Sequence, residues 1–267
     1  MAGRSSAVAF VKDVYETLLN EDDLSPANHT VTAALTSFVA FLRASYLEEW
    51  ASDLPDAPEF IGQATNLPLL CAKAGRAMEK WWCRRFLAEQ ARSPQALEAF
   101  WYFDNYLHLV KGELSLLDLT AYKRVFLLAA GALPLTAFLL AAALPNISLR
   151  CVDNDDEACD LSNTLIQNLG LGARIEVVAG RAESAVFEPS DAVFCASLLD
   201  APGLFDVFLR DGVEQFIVRD AVGLFRLCYK TAPIPPALYR EMARTEVSAL
   251  LINISRLFRR NISRQRF

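Results

Sequence analysis

The sequence predicts an α/β fold, a doubly wound sheet preceded by an all-helical N-terminal part. Three observations carry that expectation. Before about residue 118, apolar residues recur at three-to-four spacing and strand signals are almost absent. From Tyr122 onward, short apolar runs alternate with helical segments. The uncharged stretch VFLLAAGALPLTAFLLAAAL, Val125 to Leu144, reads as strand, glycine turn and helix, and a second apolar run ending in acids, SLRCVDND, follows it. The expected division is therefore a helical part over residues 1–118 and an α/β part over residues 119–267.

Twenty uncharged residues is also the length of a membrane-spanning helix. Gly131 and Pro134 lie in the middle of the stretch, and a mid-helix proline removes a hydrogen bond and clashes with the preceding turn. A parallel sheet buried on both faces accounts for the apolarity without lipid. Lys123, Arg124 and Arg150 flank the stretch on both sides and give no orientation signal. The expectation is a βα unit, with a spanning helix as the alternative.

Taken in chain order, residues 5–20 and 30–51 read as amphipathic helices, the second with Thr30 as its cap. SDLPDAPEF is a loop, and LPLLCAKAGRAMEKWWCRRFLAEQ is a third helix. SPQALEAFWYFDNYLHLVKGELSLL reads as one helix, with Ser93 at the cap and Pro94 at the first helical position. Strands follow at RVFLLAA, SLRCVD, RIEVVAG, DAVFCASLL and QFIVRDA. Between the second and third strands, DEACDLSNTLIQNLGLG forms a helix closed by Gly170. ALYREMARTEV has the composition of a helix, and SALLINISRLFRR that of a final strand.

Composition narrows the function. Hydrophobic residues make up 53% of the 267, enough for a sizeable core. A net charge of −6 offers no broad basic surface for nucleic acid, and the basic C-terminal RLFRRNISRQRF reads as a solvated strand and tail. Lys12 and Asp13 interrupt any secretory h-region. The six cysteines form no CxxC pair and sit in apolar contexts, as reduced cytosolic thiols do. With only His29 and His108 in the chain, no histidine metal site is expected. The expectations are thus a cytoplasmic protein with no nucleic-acid partner, no membrane and no metal needed for catalysis.

An open parallel sheet binds its ligand beyond the carboxyl ends of its strands. Four loops fall there. AAGALP supplies Gly131, which permits a tight turn and close approach, with Leu133 and Pro134 behind it. VDND supplies Asp153, 22 positions after Gly131, and Asn154. A carboxylate there can accept both hydrogens of a ribose diol. AGRAES places Arg181 and Ala182 to border an adenine, and CASLLDAP supplies Ala196. The three-glycine dinucleotide pattern and the Walker lysine are both missing. A glycine turn plus an acid fits an adenosine without a pyrophosphate, and S-adenosylmethionine is the economical candidate. An α/β domain without a cofactor is the alternative.

Two further stretches are unusual. AGRAMEKWW puts Glu79 among apolar and aromatic neighbours, and FWYFDNYLHLVKGEL gathers Trp101, Tyr102, Phe103, Tyr106 and His108. Taken alone, such an aromatic stripe is more often core than site, and a single glutamate is more often a surface charge.

With LPLTAFLLAAALP, MEK around Glu79, FWYFDNYLHLVKGE and VDNDDEACDLS, the chain from about Leu69 onward resembles the nicotianamine synthases. It is most similar to their short bacterial relatives that build histidine-based opine metallophores of the staphylopine and pseudopaline type. The resemblance implies a helical domain before a Rossmann-like S-adenosylmethionine-binding domain. It implies transfer of the 3-amino-3-carboxypropyl (aminobutyrate) group of S-adenosylmethionine to the α-amine of histidine, with release of methylthioadenosine. Glu79 would be the base, Tyr106 would relay or orient, and Trp101, Phe103 and His108 would contact the acceptor. A downstream opine dehydrogenase is the implied partner, and a homodimer is left open. Other readings are a small-molecule methyltransferase, a related transferase acting on glutamate, and a non-enzymatic helical interaction protein.

Overall fold

The computed structural model describes residues 3–248 and 250–261. Four helices come first, α1 (Arg4–Asn20), α2 (His29–Ser45), α3 (Ile61–Ala88) and α4 (Phe103–Leu116). The α/β part then runs β1 (Arg124–Leu128), α5 (Leu135–Ala143), β2 (Ser148–Asp153), α6 (Asp156–Asn168), β3 (Ile175–Ala179), β4 (Asp191–Cys195), α7 (Leu204–Asp211), β5 (Gln215–Asp220), β6 (Tyr239–Arg244) and β7 (Ile254–Arg260). The seven strands form one sheet in the order β3-β2-β1-β4-β5-β7-β6. The first five are parallel, and β7 runs antiparallel to both β5 and β6. This is the Rossmann-like α/β architecture expected from the sequence, with a helical N-terminal region before it.

The long apolar stretch resolves as the sequence predicts. Val125 to Leu128 lie in the middle strand of the parallel part, buried on both faces between β2 and β4. Ala129 and Gly131 turn the chain with positive φ, and α5 begins after Pro134. The helix α5 is apolar nearly all round because one side meets the sheet and another meets α4. Among the described residues, no helix is long and apolar enough to cross a membrane.

Three elements depart from expectation. YREMAR is a strand, not a helix: Tyr239 is buried against Phe205 and Phe216, and the chain alternates inward and outward beside β7. Arg256 of β7 ties this edge down through Glu241 (2.6 Å) and Asp220 (2.5 Å). Tertiary pairing overrides the local helical preference. The α2 cap is Asn28, whose side chain accepts from the N–H groups of Thr30 and Val31, rather than Thr30 itself. The helix expected from Ser93 is broken: Pro94–Ala99 forms a 3-10 turn, Ser93 makes no side-chain cap bond, and α4 starts only at Phe103. In the SDLPDAPEF loop the chain makes two short 3-10 turns. The basic C-terminal segment is β7 as far as Arg260, with Leu257 and Phe258 buried; residues 262–267 lie outside the described residues. All six cysteines are buried and unbridged.

Three apolar clusters hold the layers together. One joins α3, α4, α5 and α6 to one face of the sheet, and another joins α7 and β6 to the opposite face. The third is the core of α1, α2 and the first half of α3, and it continues into Ala221, Leu224, Phe225, Leu227 and Cys228 after β5 and into Ile252 before β7. The helix α3 thus spans two cores, leaving its middle, around Glu79, above the carboxyl end of the sheet.

Candidate active site

The parallel register brings the ends of β1, β2 and β4 level, with Leu128 beside both Val152 and Cys195. The sheet ladder then extends past the strands: the Ala130 N–H donates to Val152 O, Gly180 N–H to Asp153 O, and Ala196 N–H to Leu128 O. The order reverses at β1, which lies between β2 and β4. An open α/β sheet has its crevice at such a reversal.

Asp153 is fixed there by the backbone. Its Oδ2 accepts the Gly131 N–H at 2.8 Å, and its Oδ1 accepts the Asp155 N–H at 3.0 Å. Asp155 in turn caps α6 by accepting the Ala158 N–H at 3.0 Å. Lys80, the residue after Glu79, reaches Asp155 at 2.6 Å and Glu157 at 2.8 Å. This clamp sets α3 across the β1 and β2 loops. At Gly75 α3 packs against the loop after β4, where a β-carbon would sit in ordinary van der Waals contact with Leu198, at 3.5 Å.

The consequence is a cavity of about 180 Å³ roofed by α3 and α4 and floored by the strand ends. Glu79 is half-buried on its wall. Burial first, then the charge of Asp153, raises its carboxyl from the ordinary 4.5 to about 8, against the opposing pull of the Tyr106 hydroxyl, Arg219 and the Ala132 N–H. Tyr106 donates its hydroxyl to Glu79 Oε1 at 3.4 Å. Burial, and then the Glu79 charge, holds the Tyr106 phenol well above its usual range, so it stays a donor. Aromatic contacts from Tyr102 and Phe100 brace the Tyr106 ring.

Of the residues singled out in the sequence, Glu79, Tyr106, Gly131, Leu133, Pro134, Asp153, Asn154 and Ala196 all line this cavity. Trp101 lines a second, adjoining cavity of about 420 Å³ between α2 and α3, walled by Trp81, Trp82, Leu35 and Val39. The two cavities share Cys71, Met78, Tyr102 and Tyr229. Phe103, His108, Arg181 and Ala182 line neither. His108 is exposed on α4, Arg181 pairs with Glu183 at the surface, and Ala182 is buried in the core beneath β3 and β4.

Sequence reasoning missed a buried ion pair at this cavity. Arg219, at the end of β5, directs Nε and Nη2 at Glu113 of α4, at 2.8 and 2.9 Å. Nη2 also donates to Thr136 Oγ1, and Ser255 donates its hydroxyl to Glu113 Oε1, both at 2.8 Å. Asn253 and Ser197, hydrogen-bonded at 2.9 Å, complete the wall beside it. The only sequence signal was a charged RD pair closing an apolar strand. Among the described residues, no group of three or more His, Cys, Asp or Glu side chains could hold a metal ion.

Comparison with known proteins bears on the fold and the family. In a crystal structure, a glutamate-to-glutamine mutant of MtNAS in complex with S-adenosylmethionine superposes with a TM-score of 0.80 at 19% identity, covering 95% of this chain and 98% of that one. MtNAS in complex with MTA and tNA gives 0.80 at 20% identity, covering 94% and 97%. At these identities the likeness establishes the fold. An L-histidine 2-aminobutanoyltransferase of Yersinia pestis is 31% identical over 98 residues, a segment spanning 37% of this chain and only 36% of that protein. The sequence profile described as "Nicotianamine synthase protein" matches residues 3–199, a span that holds Glu79, Tyr106, Gly131 and Asp153. The protein therefore belongs to the nicotianamine synthase family.

Proposed function

We propose that the protein transfers the 3-amino-3-carboxypropyl group of S-adenosylmethionine to the α-amine of histidine, releasing methylthioadenosine. The observation that carries this reading is the pairing of Glu79, its carboxyl raised to about 8, with the Tyr106 hydroxyl beside the Gly131 turn. The residues fit an adenosyl group. Gly131 seats the Glu79 carboxylate against its turn, and Asp153, oriented by two backbone N–H donors, can accept the hydroxyls of a ribose. MtNAS, which shares the fold, has been crystallised with S-adenosylmethionine. The sulfonium supplies an electrophilic γ-carbon and a thioether leaving group.

The chain's own residues would do the rest. An α-amine is protonated at neutral pH and must lose a proton before it can attack. A carboxyl raised to about 8 is matched to that task, since a base works best with a pKa near the operating pH. Tyr106 would hold the carboxylate in place through its hydroxyl. The enclosing rings of Tyr102 and Tyr229 would keep water from the sulfonium. The name of the Yersinia pestis relative supports histidine as acceptor. A place in opine metallophore synthesis before a dehydrogenase is part of the same proposal and rests on the sequence resemblance alone.

Incubation with S-adenosylmethionine and histidine, read by mass spectrometry, tests the reading. Methylthioadenosine and a histidine adduct heavier by the aminobutyrate group are expected. S-adenosylhomocysteine with a methylated product would replace it with a methyltransferase. An adduct formed on glutamate and not on histidine would change the acceptor.

A further inference from the structure

Among the described residues, two cations line the active cavity. Arg76 is exposed at its rim, whereas Arg219 is buried, with 8% of its surface accessible. Arg219 is also oriented. Three hydrogen bonds consume Nε and Nη2, and they turn that edge of the guanidinium toward Glu113 and Thr136. Nη1, with two N–H donors, makes no hydrogen bond within the described residues. The guanidinium carbon lies 5.9 Å from the centre of the Tyr106 ring, whose hydroxyl contacts Glu79. Tyr106 therefore touches both the carboxyl raised toward neutrality and the fixed cation.

Stability alone does not explain the ion pair. Two buried charges gain little over well-packed apolar residues of similar size. Here the pair is held further by Thr136 and Ser255, so its geometry is over-determined. Neutralisation by Glu113 has a second effect. The cavity can present guanidinium donors without the net positive charge that would repel a sulfonium. That is the requirement for gripping the carboxylate of a substrate that carries a cation elsewhere.

We infer that Arg219 receives, on Nη1, the α-carboxylate of an amino-acid group in the active cavity. The inference rests on the transfer reading above and deepens it, because both substrates there carry an α-amino carboxylate. In an α-amino acid the amine and carboxylate are joined through one carbon. An amine delivered to Glu79 therefore brings its carboxylate to the neighbouring wall, where Arg219 stands.

Two ligand pairs separate the sources. Calorimetry compares S-adenosylmethionine with its decarboxylated counterpart and needs no turnover, so it is read independently of the transfer reaction. Steady-state kinetics compares KM for histidine with KM for histamine. Wild-type protein should prefer the carboxylate-bearing member of at least one pair by about 10- to 100-fold, the range for a lost charge-assisted hydrogen bond. The pair that discriminates names the substrate. The double variant Glu113→Leu/Arg219→Met replaces the ion pair with apolar bulk and should shrink the preference to about twofold or less. Arg219→Lys, which keeps a cation against Glu113, should lose most of it with no buried charge stranded. No preference in the wild type for either pair overturns the inference. So does a preference that survives in Arg219→Lys, or one abolished by Arg76→Gln instead. Failure to release methylthioadenosine with any amine would remove the transfer reading, while the calorimetric pair would still report on Arg219.

Discussion

A β-carbon placed on Gly131 would lie 1.9 Å from Oε2 of Glu79. The glycine at the end of the first strand is thus the seat of the carboxylate arriving from α3. Its φ of +72° adds a second demand for glycine. Gly131→Ala should displace the Glu79 carboxylate and lower the melting temperature. Turnover should fall by about two orders of magnitude or more, as for loss of a general base. In Gly131→Ala/Glu79→Ala the collision is gone, so melting should recover toward the Glu79→Ala value while turnover stays lost. No recovery of melting would place the damage in the backbone turn alone.

The raised carboxyl makes stability depend on pH. Folding favours protonated Glu79, so its contribution is fully present below the ordinary value of 4.5 and is lost as pH rises through about 8. Glu79→Gln has no such loss. The variant should melt above wild type at pH 8 to 9, and the gap should close toward pH 4.5. Its turnover should fall by about 10² to 10⁴ and recover in part at high pH, where free amine needs no base. A variant that melts below wild type at pH 9 would instead make Glu79 a charge that holds α3 in place.

A cation brought near a carboxyl lowers its pKa. At pH 7 the free protein carries Glu79 mostly protonated, given its value of about 8. Binding of the S-adenosylmethionine sulfonium beside it should therefore release a proton. Calorimetric enthalpies measured in buffers of different ionisation enthalpy should show that release in wild type and not in Glu79→Gln. Equal enthalpies in every buffer would put the sulfonium away from Glu79.

Asp153 ties the Gly131 turn to the start of α6 through Oδ2 and Oδ1. Asp153→Ala should weaken S-adenosylmethionine binding about 10- to 100-fold, through the lost acceptor for the ribose hydroxyls. A folded variant with unchanged calorimetric affinity would remove Asp153 from the ligand's contacts.

The sheet was legible because its five parallel strands are short apolar runs, four of them with a glycine or an acid at the end, as in LLAAG and CVDND. YREMAR was not, because an edge strand buries only alternate residues and its composition favours a helix. Gly131 and Asp153 could be found from spacing alone, since one strand-turn-helix-strand unit carries both. Glu79 and Tyr106 come from two different helices, and only the family resemblance linked them before the structure did. The Arg219–Glu113 pair spans 106 positions and left no local pattern. His108 shows the opposite failure. It lies two residues after Tyr106 on α4, and positions two apart on a helix point to different sides, so when Tyr106 faces the cavity His108 faces solvent.

The core of α1 and α2 is completed by Leu224, Phe225 and Leu227. During synthesis these partners follow the first helix by roughly 200 residues, or about 10 to 40 s at the usual 5–20 residues per second. Through that interval the nascent helical layer holds an open apolar face. It can collapse only provisionally until the segment after β5 arrives to seal it.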